Sequence, residues 1–124
     1  MSHPSLNNIE LPATDLASTK DFYTQAFGWE WTDYGPTYAA AELPCFEVGL
    51  TTAATAAAPP PQGDESGVGP LVLFQGEDLD ALMTAVTEAG GEIVTTTFNF
   101  PGGSRFHFRD PSGNVLGIYR ADND

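Results

Sequence analysis

Phe106-His-Phe-Arg-Asp-Pro-Ser-Gly-Asn-Val-Leu-Gly-Ile-Tyr-Arg120 reads as a strand, a tight turn and a second strand. Phe106 and Phe108 alternate with His107 and Arg109, which is the period of a half-buried strand. Asp110-Pro111-Ser112-Gly113 has the chemistry of a turn. Aspartate opens it, proline presets φ at the second position, and glycine occupies the fourth. Residues 115–119 resume a strand with Gly117 at its middle, and a glycine inside a strand marks close approach of a backbone or a ligand.

Upstream of this hairpin the pattern is regular. Residues 70–75 form a strand and Asp78 caps a helix whose apolar stripe is Leu79, Leu82, Met83, Val86 and Ala89. Gly90-Gly91 stops that helix, residues 92–98 form a strand, and Pro101-Gly102-Gly103 turns into the hairpin. The order is β-α-β-β-β. The first half has the same order. A strand over residues 6–11 ends at Pro12, and Asp15 caps a helix with Leu16, Phe22, Tyr23, Ala26 and Phe27 on one face. Gly28 ends it, and strands follow over 29–32, 37–43 and 45–51, broken by Tyr34-Gly35-Pro36 and by Pro44.

A shift of 63 residues places Asp15 on Asp78, Leu16 on Leu79, Ile9 on Val72 and Gly28 on Gly91. The chain is therefore a two-fold internal repeat. The expected fold is α+β: two βαβββ modules forming a shared mixed-sheet cleft, with helices on the outer faces. One domain spans residues 1–124, with module one about 5–51, a connector about 52–69 and module two about 70–121. The connector is rich in Ala, Thr, Pro and Gly and has no apolar period.

Seventeen acids against four basic residues give a formal net charge of −13, which repels phosphate backbones and argues against a nucleic-acid partner. Three of the four cations, Arg105, Arg109 and Arg120, lie at the hairpin; Lys20 is the fourth. No apolar run approaches a membrane span, and Met1-Ser-His-Pro-Ser5 lacks the basic and apolar regions of a signal peptide. A cytoplasmic protein without membrane partners is the expectation. A single cysteine, Cys45, excludes an internal disulfide and any multi-cysteine zinc site.

Paired β-α-β-β-β modules carry four further marks. An Asp15-Leu16 helix start is followed by Phe22-Tyr23 and then by Phe27-Gly28-Trp29. Asp110-Pro-Ser-Gly-Asn114 precedes the last strand. Together these features resemble the vicinal oxygen chelate superfamily of lactoylglutathione lyases, bleomycin-resistance proteins and extradiol dioxygenases, across nearly the whole chain apart from the connector. The resemblance implies, for the metalloenzymes, His or Glu ligands on the first and last strands of each module, where a divalent ion acts as a Lewis acid. Carried onto this sequence, the first-strand positions fall on Asn8 and Leu71, and the last-strand position of module two falls on Gly117. Leucine and glycine offer no side-chain donor, so no metal ligand and no cofactor are assigned. The last strand of module one aligns at either Glu47 or Gly49, which share a face. The resemblance also implies a homodimer.

The candidate catalytic residues are His107, the one histidine outside the terminus, and Glu47 as its acid–base partner. The candidate ligand-binding residues are Asn8, Trp29, Trp31, Tyr38, Glu47, Gly117 and Tyr119. The aromatic ones suit a cleft for flat or apolar molecules, and Gly117 leaves room for a ligand. The expected function is binding of a small aromatic or apolar molecule between the modules without a family-type metal site. The alternative is a metal-dependent lyase or dioxygenase using Glu47 and His107.

Overall fold

The computed structural model describes residues 4–44, 46–53 and 70–122. Cys45 and nearly all of the connector lie outside the described residues. Module one contains β1 (Asn8–Pro12), α1 (Leu16–Phe27), β2 (Thr32–Asp33), β3 (Tyr38–Glu42) and β4 (Glu47–Thr51). Module two contains β5 (Val72–Gln75), α2 (Leu79–Glu88), β6 (Glu92–Phe100), β7 (Gly103–Arg109) and β8 (Val115–Ala121). The sheets have the orders β1-β4-β3-β2 and β5-β8-β7-β6, the same permutation twice. In each, the first strand runs parallel to the last, and the remaining pairs are antiparallel.

Local chemistry sets the helix ends. The Asp15 carboxylate accepts from the Ser18 amide and that of Asp78 from the Ala81 amide, each cap worth about 1 kcal/mol. Gly28 ends α1 at φ 75°, a left-handed conformation that a residue with a Cβ resists. The expected strand over 29–32 is not formed, because β2 is only Thr32–Asp33. Trp29 instead stacks on Tyr23, with ring centroids 4.9 Å apart and planes 7° apart. Packing of that indole against α1 has outweighed strand pairing.

One core serves both modules. Phe22, Tyr23 and Ala26 of α1 and Leu79 and Val86 of α2 join inward residues of both sheets, among them Val48, Leu50, Phe106 and Phe108. The Phe22 ring lies 5.9 Å from that of Phe108, so the helix of module one packs on the sheet of module two. Strand alternation then sends Asn8, Glu10 and Glu47, and likewise Arg105, His107 and Gly117, to the helix-free faces.

The turn between β7 and β8 does more than reverse the chain. Asp110 Oδ1 accepts from the Ser112 and Asn114 amides, and Oδ2 accepts from the Tyr23 hydroxyl at 2.7 Å and from Asn114 Nδ2 at 2.9 Å. Asn114 Nδ2 also donates to the Pro12 carbonyl, while Ser112 Oγ accepts from the Thr14 amide and lies 2.6 Å from Thr19 Oγ1. Asp110, Ser112 and Asn114 are all buried. The module-two turn is thus a clasp on β1 and α1 of module one.

Burial raises the Asp110 carboxyl above its ordinary value, against hydrogen bonds from Asn114, Tyr23 and Ser112 that pull it down. The folded chain therefore holds this proton at pH values where the unfolded chain has released it. Between the ordinary and the raised value, the contribution of Asp110 to stability falls as pH rises; above and below that window it is constant. Thermal unfolding between about pH 3 and about pH 7 should show the difference between wild type and Asp110→Asn, which cannot ionise there, narrowing as pH rises through the window.

Candidate functional site

On the helix-free face of the first sheet, Asn8 pairs with Glu47 and Glu10 with Gly49. The Tyr38 hydroxyl lies directly over Gly49, in the space that a Cβ there would need. Desolvation pushes the Tyr38 phenol up, followed by its hydrogen bond to Glu10 and by the charges of Glu10 and Glu47. Asn8, Tyr38 and Glu47 thus come together around Glu10. Glu10 was not singled out from sequence, although its alternation with Ile9 and its parity with Asn8 place it on that face.

On the second sheet, Leu73 pairs with Gly117 and His107 with Gly117 from the other side. Glu10–Gly49 and Leu73–Gly117 are therefore equivalent pairs, and Gly49, not Glu47, is the counterpart of Gly117. The expected room beside Gly117 is filled. A Cβ there would lie 2.6 Å from Leu73 Cδ2, 3.0 Å from His107 Cδ2 and 3.2 Å from the Phe106 carbonyl oxygen. His107 is buried at 6 % exposure with Phe98 edge-on to its ring at 5.5 Å. Tyr119 stands one row along, its hydroxyl 3.5 Å from Gln75 Oε1. Glu47 and His107 belong to different sheets.

The donors that a family-type metal would need do not fit. Leu71 is exposed and precedes β5, Leu73 and Gly117 carry no donor, and Asn8 is the first residue of β1. Among the described residues, no group of three or more His, Cys, Asp or Glu side chains is placed to hold an ion. Among them also, no helix is long and apolar enough to cross a membrane.

Trp29 and Trp31 lie elsewhere, on the helix side of the fold. Trp29 contacts Phe27, Trp31 and Phe74, with ring centroids 5.4, 6.1 and 5.3 Å away. Beside this cluster is a pocket of about 380 Å³. Ala26, Phe27, Trp29 and Leu43 of module one form one wall, and Phe74, Leu82 and Ile118 of module two the other. Gln75 and Gly76 also border it. Trp29 alone of the seven expected ligand-binding residues lines it. Tyr38, Glu47, Asn8, Gly117 and Tyr119 stand on the helix-free faces, and Trp31 is at one remove, packed on Trp29.

Comparison with known proteins agrees with this architecture. The CFP32 protein of Mycobacterium bovis, named as a glyoxylase, is 31% identical over 94% of this chain and 45% of its own length. The anthracycline biosynthesis protein DnrV of Streptomyces peucetius is 31% identical over 90% of this chain and again 45% of its own. The chain thus spans about half the length of these relatives. A glyoxalase-related enzyme from Fulvimarina pelagi superposes with a TM-score of 0.75 at 20% identity, covering 94% of this chain and 87% of that one. TnmS3, an antibiotic binding protein from Streptomyces sp. CB03234, gives 0.71 at 22% identity, covering 98% and 99%. Residues 5–118 match the family described as the Glyoxalase/Bleomycin resistance protein/Dioxygenase superfamily, and the chain belongs to it.

Proposed function

We propose that this chain binds a small, flat aromatic or apolar molecule between its two modules, as a cytoplasmic homodimer without a family-type metal site. The observation that carries the reading is the pocket of about 380 Å³ walled by Phe27, Trp29 and Phe74, with residues of both modules on its two sides. Its volume lies in the range of small-molecule sites, and an apolar, largely aromatic lining suits a planar ligand held by stacking. The names of an anthracycline biosynthesis relative and an antibiotic-binding neighbour support the same ligand class.

Both tryptophans sit in the cluster beside the pocket, so intrinsic fluorescence reports on it. An anthracycline, a flat fused-ring compound, should quench that fluorescence saturably. Trp29→Ala should weaken calorimetric binding about tenfold or more, the loss of about 1.4 kcal/mol or more that truncation of an aromatic anchor brings. Absence of saturable binding across a panel of flat aromatic compounds would falsify the reading.

The metal-dependent alternative makes a different forecast. Protein purified without chelators should carry no stoichiometric divalent metal. Finding such metal, and losing it on Glu47→Ala, would establish that alternative instead.

A further inference from the structure

Arg105 is held in a way that its fold does not use up. Lys20 bonds to Asp33 and Arg109 to Glu92, but among the described residues Arg105 forms no ion pair. Its guanidinium carbon lies 5.2 Å from the centre of the Phe98 ring and 4.9 Å from that of Phe100. These ring contacts stabilise the charge and fix its position. They do not supply an acceptor for the hydrogens in the guanidinium plane, and Nε is buried without a hydrogen-bond partner. A buried donor left so costs about 1–3 kcal/mol.

The surroundings define what that acceptor is. Phe98, Arg105, Tyr119 and Gln75 pair successively across all four strands of the second sheet. They present a ring, a planar cation, a phenol and an amide in one row. The Tyr119 hydroxyl meets Gln75 Oε1 only at 3.5 Å, so both groups retain hydrogen-bonding capacity toward a ligand. A guanidinium immobilised by two rings is a prepared fork for a two-oxygen anion. In a chain of net charge −13, an anion has no general attraction to the surface and must be won by local contact.

We propose that Arg105, with Tyr119 and Gln75 beside it, forms an oxyanion subsite on the helix-free face of the second sheet. It takes the carboxylate or phosphate group of a small organic anion. The inference does not rest on the aromatic pocket, whose wall is formed by Trp29 and Phe27.

The side-chain Nε–H resonance of Arg105 in nitrogen-15-labelled protein tests this, assigned by its absence from Arg105→Lys. Sodium benzoate should move that resonance saturably, while benzamide, of the same shape without the charge, should not. Inorganic phosphate moving it as well would support the subsite as one for oxyanions of either kind. Arg105→Lys should bind benzoate about tenfold to a hundredfold more weakly, the range expected when a charged two-point hydrogen bond is lost. Trp29→Ala should leave the benzoate shift intact, which separates this subsite from the pocket. A resonance unmoved by both anions, or moved equally by benzamide, would overturn the proposal. So would unchanged benzoate affinity in a folded Arg105→Lys. If that variant does not fold, the wild-type titration still decides, with the resonance assigned through its neighbours.

Discussion

Asp110→Ala should lower the unfolding free energy by about 3–5 kcal/mol, since it orphans four donors at about 1–3 kcal/mol each, less what relaxation and removal of a buried charge recover. The donors are the amides of Ser112 and Asn114, the Asn114 side chain and the Tyr23 hydroxyl. Two of them belong to the turn alone. Tyr23 belongs to α1, so the loss also loosens module two from module one. Tyr23→Phe removes one charge-assisted bond and keeps the ring, and should cost about 1.5–3 kcal/mol. Asp110→Asn should be more harmful than its size suggests, because its amide turns a donor toward other donors. Urea unfolding of the three variants gives the ranking directly. An Asp110→Ala unfolding free energy within about 1 kcal/mol of wild type would show that the clasp does not hold the modules together.

That clasp marks how far the sequence could be read. Asp110, Pro111 and Gly113 announce a turn because each acts on its own or its neighbour's backbone, and the structure has the Gly113 amide bonded to the Asp110 carbonyl. The helix caps Asp15 and Asp78 were legible for the same reason. What Asp110 does for the whole chain was not legible, because Tyr23 and Pro12 are 87 and 102 positions from the groups they bond. No periodicity carries that separation. Trp29 and Trp31 failed in the opposite sense: their strand propensity is real, but a ring stacked on Tyr23 decided their conformation.

The candidate site shows the same division. Alternation groups Glu47 with Gly49, His107 with Arg105 and Arg109, and Tyr119 with Gly117, because parity is a local property. It could not separate those faces from the pocket lined by Trp29, nor assign Gly49 as the partner of Gly117, since both depend on strand register. The pairs Glu10–Gly49 and Leu73–Gly117 settle that register. Arg105 shares parity with His107, yet its contact with Phe98 and Phe100 follows from the irregular pairing of β6 with β7, whose register shifts between Thr95 and Phe98.

Gly117→Ala should cost about 1–3 kcal/mol, the penalty for adding a methyl to a filled site. The new Cβ meets Leu73 Cδ2 first, at 2.6 Å, and that is the far end of a side chain able to turn. Behind it stand His107 Cδ2 at 3.0 Å and the Phe106 carbonyl oxygen at 3.2 Å. Those neighbours yield less, because His107 is buried against Phe98 and Phe106 is held in the ladder to β8. Shortening Leu73 to alanine in the same chain should recover part of the loss. The double variant should therefore be more stable than the sum of the single effects by about 0.5–3 kcal/mol, the coupling expected of residues in direct contact. Gly117→Glu places its Cβ in the same crowded space. It would add a carboxylate at the position that metal-using members are expected to fill, yet Leu73 opposite it still offers no donor. The expected result is lost stability with no gained metal. If Gly117→Ala and Leu73→Ala instead act additively, the space over this glycine is open after all, and its place in ligand binding would have to be reconsidered.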